Sequence, residues 1–385
     1  MSEQITPTGR VHWAGTGLST GSGLGIVCDL ASRTVLWGRT RQKAEDCLAR
    51  LGHSGRAETR AFDPDALAAE LVAGDIVVSM LPAAHHAALL RLCLERGAHF
   101  AASSYVSAEI SALAAEAAQA GIVVLTEAGL DPGIDHLLAH RLIAQARAAT
   151  GDGGASATFT SYCGSNPAEP NEFRYRFSWA PRGVLTALLT PARYVDRGAE
   201  RVVDRPWEAV REHTLGGERF EVYPNRDSVP FVEQYGLPAS WRLDTFVRGT
   251  IRLDGWSDAW APVFTELREG DDERIGALAR RLALRYPTTE TDHDRVLLSV
   301  ALDVRADDGS AWSGEYVLDV EGDEKERATP RLVSVALACG IGDILDGLTP
   351  SGLHRAAEEP EAVRRWLSFL ESHGVVCEFR DPRHG

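Results

Sequence analysis

Glycines follow the first predicted strand at a spacing suited to binding phosphate. The run GTGLSTGSG extends from Gly15 to Gly23, and main-chain amides in such a turn approach a pyrophosphate at the N-terminus of the next helix. The third glycine of a G-x-G-x-x-G pattern would fall on Thr20, and Gly21 comes one residue late, so the run alone also fits a plain glycine-rich loop. The surrounding strand and helix favour a dinucleotide site with these residues: Gly15, Gly17, Leu18, Ser19 and Thr20.

The end of the second predicted strand indicates which dinucleotide is bound. A site for NAD usually places Asp or Glu about 20 residues after the glycines, where the carboxylate binds the ribose 2′-hydroxyl. This chain has Arg39 and Thr40 there. A guanidinium beside a hydroxyl suits a 2′-phosphate, which a carboxylate would repel. We predict NADP(H) as the cofactor; the alternative is that Arg39 is a solvated loop residue.

Three later strand ends also carry groups able to act on a ligand. Leu81 and Pro82 close one strand, where such turns commonly lie under the cofactor. The Ser104 hydroxyl, after the next strand, faces nicotinamide or substrate, or else caps the following helix. Asp131 follows the last strand of this series, where a carboxylate meets an ammonium or a protonated imine, or simply caps a helix.

Short apolar runs alternate with helix-like segments over the first ~130 residues, which predicts βαβ units and a doubly wound parallel sheet. Its predicted strands are Val11–Ala14, Thr34–Trp37, Ile76–Met80, His99–Ala101 and Ile122–Leu125. After the glycine-rich break at 151–154 the runs lengthen, which indicates an α+β unit. The predicted fold class is therefore α/β, a Rossmann-type doubly wound parallel sheet plus an α+β substrate and dimerisation domain with a small helical insertion.

Composition limits the classes of function. The 385 residues have a net charge of −15 and 44% hydrophobic residues, so the chain is globular and large enough for two or three domains. Without basic runs or a long apolar span, we expect neither nucleic-acid nor membrane partners, and a cytoplasmic location. The six scattered cysteines form no metal-binding pattern, so no metal is predicted.

Several motifs in order resemble the saccharopine reductase family, the NADP+-dependent, L-glutamate-forming saccharopine dehydrogenases. They are Ser104-Tyr105-Val106-Ser107, Gly129-Leu130-Asp131-Pro132-Gly133-Ile134-Asp135-His136, Tyr162-Cys163-Gly164, Phe177-Ser178-Trp179 with Pro181-Arg182-Gly183-Val184, Tyr223-Pro224-Asn225-Arg226-Asp227-Ser228, and Arg248-Gly249-Thr250. The resemblance extends from the first strand to the last.

The resemblance implies three domains, a homodimer and a reaction. The expected domains are an NADP-binding Rossmann domain over 1–133 completed by 345–385, a substrate and dimerisation domain over 134–260 and 287–344, and a small helical lid over 261–286. The implied reaction reduces, by NADPH, the imine of 2-aminoadipate 6-semialdehyde and L-glutamate to saccharopine, and it is reversible.

The same resemblance, with the chemistry of the side chains, suggests roles for individual residues. The expected catalytic residues are Asp131, Tyr105 and Cys163. The expected substrate-binding residues are Ser104, Trp179, Asn225, Arg226 and Thr250, with the Arg226 guanidinium as the first choice for a carboxylate.

The residues also leave other functions open. The loop after Cys163 reads GSNPAEP where the family has a GGLPAPE pattern, so a different amine or aldehyde partner is possible. One alternative is a carboxynorspermidine-type dehydrogenase or another imine reductase, although Arg182 and Arg226 argue against a cationic diamine. A third reading is a non-catalytic NADP-binding sensor.

Overall fold

The computed structural model describes residues 4–177, 181–289 and 292–381. Two compact units make up the chain: residues 1–137 with 329–375, and residues 138–328 with 376–385.

The first unit is built on a seven-stranded sheet in which every described pairing is parallel. Its strands, numbered along the chain, are β1 (Arg10–Ala14), β2 (Arg33–Gly38), β3 (Glu58–Ala61), β4 (Ile76–Ser79), β5 (His99–Ala102), β6 (Val123–Leu125) and β15 (Gly352–His354). The order β15-β6-β5-β4-β1-β2-β3 reverses direction between β1 and β4. This reversal is the switch point at which doubly wound sheets bind ligands.

Helices flank these strands, and some of them begin with a side-chain cap. They are α1 (Gly23–Leu30), α2 (Arg41–Arg50), α3 (Pro64–Glu70), α4 (His86–Arg96), α5 (Ala108–Ala120), α11 (Ala328–Leu345) and α12 (Pro360–Ser372). Helix α6 (Ile134–Thr150) begins in this unit, and its residues from 138 onwards belong to the second. The hydroxyls of Thr40 and Ser107 accept hydrogen bonds from the third residue beyond them and so cap α2 and α5. Helix α11 is long and apolar enough to cross a membrane, but 67% of it is buried, as in a core helix.

The second unit contains a nine-stranded mixed sheet. Its strands are β7 (Ala155–Pro167), β8 (Ala192–Asp196), β9 (Ala199–Val203), β10 (Arg211–Leu215), β11 (Glu218–Pro224), β12 (Trp241–Leu253), β13 (Asp294–Ala306), β14 (Ala311–Glu321) and β16 (Glu378–Arg380). Its helices are α7 (Pro181–Leu188), α8 (Pro230–Gln234), α9 (Trp256–Glu269) and α10 (Asp272–Arg285). The fold class predicted from the sequence is confirmed.

The end of the chain differs from the prediction. Residues 345–385 were expected to complete the first domain, and strand β15 does pair with β6 there. Strand β16, however, pairs with β14 in the second sheet, and the ring of Phe379 packs on that of Tyr316 with centroids 5.1 Å apart. The apolar side chain therefore finds its packing partner in the second unit. The small helical lid expected over 261–286 corresponds to most of α9 and all of α10, and its role as a lid stays a prediction.

Candidate active site

The turn after β1 has a geometry that requires glycine. Gly15 has φ +124°, and a Cβ atom there would lie 2.7 Å from the carbonyl oxygen of Met80. A Cβ atom at Gly17 would meet no atom within 4 Å, so that side of the turn is open. The buried Thr20 hydroxyl donates to the carbonyl of Gly15 over 3.0 Å and stabilises the turn from inside. Leu18 is 49% exposed.

The displaced glycine of the motif has a packing explanation. Helix α1 begins at Gly23, whose amide donates to the Ser334 hydroxyl over 3.0 Å. A Cβ atom at Gly23 would collide with the main chain of Ser334. Gly23 therefore permits the close packing of the helix that the third glycine of the pattern usually permits. The longer turn accounts for the spacing that weakened the motif in the sequence.

Arg39 lies immediately beyond β2, beside the Thr40 cap of α2. Its side chain is exposed, and among the described residues it forms neither a hydrogen bond nor an ion pair. The neighbouring Arg41, in contrast, pairs with Glu45 over 2.9 Å. Arg39 is therefore a cation at the carboxyl end of a strand with its hydrogen-bonding capacity unused within the described chain.

A buried histidine connects two other strand ends. His86 Nδ1 lies 2.8 Å from the Ser79 hydroxyl and its Nε2 lies 3.1 Å from the Ser104 hydroxyl. Burial lowers the pKa of His86 to about 4, so the ring is neutral near pH 7, with one nitrogen donating and the other accepting. Leu81 and Pro82 lie in the connection between Ser79 and this histidine. No local pattern in the sequence indicates this role for His86.

Tyr105 and Asp131 are in direct contact. The Tyr105 hydroxyl donates to Asp131 Oδ1 over 2.7 Å. Each is only partly buried, and the peptide bond between Asp131 and Pro132 is cis. Asp135, rather than Asp131, accepts the Gly133 amide at the start of α6, over 2.7 Å. Two of the predicted catalytic residues, Tyr105 and Asp131, are therefore in direct contact.

Glu127 is a further residue of this region that the sequence analysis missed. It is 3% exposed, and its main chain has φ +50°. Its carboxylate accepts from the Val106 amide over 3.0 Å and lies 3.1 Å from His136 Nε2 and 3.1 Å from Arg355 Nε. Burial alone would raise the pKa of Glu127, but the hydrogen bond from His136 and the nearby cations hold it below its usual value.

In the second unit, strand register brings several predicted residues together. Thr250 is opposite Cys163 on β7 and opposite Tyr223 on β11. The Asn225 amide donates to the carbonyl of Arg248 over 3.0 Å, which holds the turn after β11 against β12. Arg226 follows in the left-handed region at φ +59° and is exposed. Cys163 is half-buried and unoxidised.

The sheet of the second unit also contains a buried cation that the sequence analysis overlooked. Arg252 is 9% exposed, and its guanidinium carbon lies 4.9 Å from the ring centroid of Tyr175. Its Nε has no hydrogen-bond partner, and no carboxylate among the described residues is within ion-pair distance. Glu221, opposite in register, is occupied at the start of α9, where it accepts from the Ser257 amide over 2.7 Å.

Trp179, the predicted wall of the substrate pocket, lies outside the described residues. Its role therefore stays a prediction.

The parallel sheet and the polar residues at the carboxyl ends of its strands place this chain in the class of dinucleotide-binding α/β proteins. Known families make the relationship specific: the saccharopine dehydrogenase NADP binding domain matches residues 21–125, and the saccharopine dehydrogenase C-terminal domain matches residues 129–375. The chain belongs to the saccharopine dehydrogenase family. This confirms the resemblance seen in the motifs.

Individual relatives agree. The chain is 37% identical over 255 residues to the NADP+-dependent, L-glutamate-forming saccharopine dehydrogenase of Pyricularia oryzae, covering 65% of this chain and 55% of that protein. It is 39% identical over 191 residues to the alpha-aminoadipic semialdehyde synthase of Arabidopsis thaliana, covering 48% of this chain and 18% of that one. The matched segments thus span at most about half of these relatives.

A solved structure has the same fold throughout. The apo L-glutamate-forming saccharopine dehydrogenase of Saccharomyces cerevisiae aligns with a TM-score of 0.80 at 24% identity, covering 96% of this chain and 99% of that one.

Proposed function

We propose that this chain is an NADP(H)-dependent oxidoreductase that acts on the CH–NH bond of saccharopine or a closely similar secondary amine. In the oxidative direction, saccharopine, NADP+ and water give L-glutamate, 2-aminoadipate 6-semialdehyde, NADPH and a proton. The reaction is reversible.

The cofactor assignment is supported by the shape and charge of the strand ends. The glycine at position 15 allows the main chain to turn tightly, and the open face at Gly17 leaves space for a pyrophosphate. Arg39 offers a guanidinium that has no ion-pair partner in the described part of the chain, and Thr40 offers a hydroxyl, for the 2′-phosphate. NADP+ held by these residues would supply the acceptor for a hydride from the substrate carbon. Leu81 and Pro82 stay proposed contacts of this cofactor, as do Leu18, Ser19 and Thr20.

The observation that carries the proposal is the hydrogen bond between Tyr105 and Asp131. Both residues follow neighbouring strands of the same parallel sheet as the glycine turn, so all these groups lie at its carboxyl edge. Asp131 as a carboxylate stabilises the positive charge that develops on the amine nitrogen. Tyr105 orients that carboxylate and can exchange a proton with it. Ser104, positioned by His86, supplies a hydroxyl for a polar end of the substrate.

Binding of the diacid is assigned to the second unit. Arg226 is exposed, and its guanidinium is proposed to bind a substrate carboxylate, with the side-chain amide of Asn225 and the Thr250 hydroxyl as additional donors. Cys163, opposite Thr250, is proposed to line the same region. Trp179 is proposed to exclude water from the imine.

Turnover with different amines tests the proposal. NADPH formation is followed for the full chain with saccharopine and with carboxynorspermidine. We expect turnover with saccharopine, and a decrease of about 100-fold in kcat for Asp131→Asn, as is typical when a positioned acid–base or charge-stabilising group is lost. Asp258→Asn, at an exposed position of α9, is the control and should behave as wild type. Turnover only with carboxynorspermidine would identify a diamine enzyme, and NADPH binding without turnover would identify a sensor.

The proposal extends to assembly and location. We propose a homodimer in the cytoplasm. The six free cysteines are compatible with a reducing compartment. Light scattering of the purified chain measures the oligomeric state, and a monomer would contradict the first part.

A further inference from the structure

We propose that Glu127 is a positioning residue that holds the segment 104–106 from both sides and thereby sets the contact between Tyr105 and Asp131. The inference rests on the proposed function for its effect on turnover. The geometry itself is contained in the described contacts of the first unit.

Two hydrogen bonds from Glu127 bracket Tyr105. The Glu127 amide donates to the carbonyl of Ser104 over 3.0 Å, and its carboxylate accepts from the Val106 amide over 3.0 Å. The residue between these two bonded neighbours is Tyr105, whose hydroxyl donates to Asp131. This segment lies between β5 and α5 and has no regular secondary structure of its own. Its path therefore depends strongly on these two bonds.

The carboxylate of Glu127 is itself held in place. Buried at 3% exposure, it lies against His136 and Arg355, each 3.1 Å away. Its lowered pKa keeps it ionised, so the bond from the Val106 amide is charge-assisted and stronger than a neutral one. A neutral glutamine would weaken this bond and would also remove the carboxylate that lies 3.1 Å from Arg355.

Main-chain hydrogen bonds with residues near the C-terminus also hold the backbone at Glu127. The Thr126 amide donates to the carbonyl of His354 over 2.9 Å, and the Ala356 amide lies 3.4 Å from the carbonyl of Glu127. A left-handed conformation is unfavourable for glutamate and persists only where the surroundings enforce it. Strand β15 and Arg355, both from the C-terminal part of the chain, supply that enforcement, so the late segment of the sequence stabilises a loop of the active site.

Turnover of Glu127→Gln tests the positioning role. We expect kcat with saccharopine to fall at least 10-fold while KM for NADP+ changes less than 2-fold. In the Tyr105→Phe background the same substitution should cause little further loss, because the pathway through Tyr105 is already removed. The matched control is Glu116→Gln, an exposed glutamate on α5. Equal losses in both backgrounds would overturn the proposal, since Glu127 would then act independently of Tyr105.

A second measurement does not need turnover. Protein labelled with ¹³C at the tyrosine ζ carbon gives a Tyr105 resonance, which is assigned by its loss in Tyr105→Phe. We expect this resonance to shift in Glu127→Gln and in the charge-retaining Glu127→Asp, and to stay unchanged in the control. An unchanged Tyr105 resonance in a folded Glu127 variant would refute positioning. Absence of wild-type turnover with saccharopine would refute the proposed function alone.

Discussion

Replacing Arg39 should change which cofactor the protein prefers. The side chain is exposed and has no hydrogen bond or ion pair among the described residues, so its removal breaks no described contact. The substitution should therefore change ligand binding. We expect Arg39→Asp to weaken NADPH binding strongly and to leave NADH binding nearly unchanged, because only NADPH carries the 2′-phosphate.

The size of the expected loss in NADPH affinity follows from the hydrogen bonds that one guanidinium can make. A hydrogen bond to a charged group contributes about 1.5–3 kcal/mol. At about 1.4 kcal/mol for each tenfold change in affinity, loss of one bond weakens binding about 10- to 150-fold. The new carboxylate adds repulsion. We therefore expect a loss of roughly 100-fold or more for Arg39→Asp.

Calorimetric titration of both dinucleotides is the assay. Arg41→Asp is the matched control, since Arg41 is also exposed and lies only two residues away but is paired with Glu45. An isolated exposed pair of this kind contributes little to stability. Equal weakening of NADPH and NADH by Arg39→Asp would refute the assignment of the 2′-phosphate, and so would an equal effect of Arg41→Asp.

Three other predictions concern stability, the glycine turn and substrate binding. The pKa of His86 is lowered from 6.5 to about 4, so the unfolded chain takes up this proton first. This shift should contribute about 3 kcal/mol to the decrease in the free energy of unfolding as pH decreases from 6.5 towards 4, and urea titration should show a smaller decrease for His86→Gln. Gly15→Ala should lower the free energy of unfolding by about 1–3 kcal/mol because Gly15 has a positive φ, whereas Gly17→Ala should preserve Tm and weaken cofactor binding. Equal Tm values for these two variants would contradict this prediction. Arg226→Ala should raise KM for saccharopine about 10-fold, while Arg219→Ala, from a solvated pair with Asp254, should not; equal KM changes would argue against Arg226 as the carboxylate ligand.

The first unit could be predicted well because its signals are local. Alternating apolar runs mark its central strands, and Arg39 stands directly after one of them. Strand β3 was missed since its sequence ETRA has only one buried residue. Strand β15 has three residues and is defined by pairing with β6, which no local pattern reveals.

The site itself was only partly predictable. The sequence motifs predicted catalytic roles for Tyr105 and Asp131, and the structure shows that their side chains are in direct contact. Glu127, His86 and Arg252 were missed because their contacts are with residues distant in the sequence, such as Arg355 for Glu127. A buried charged residue cannot be distinguished from a surface one before its neighbours are known.

The stoichiometry of saccharopine oxidation measures the proposed reaction itself. The full chain is incubated with saccharopine and NADP+, and L-glutamate and NADPH are measured in the same sample. We expect one glutamate to be released for each NADPH formed. Formation of NADPH without glutamate, or no NADPH at all while NADP+ binds normally, would contradict it.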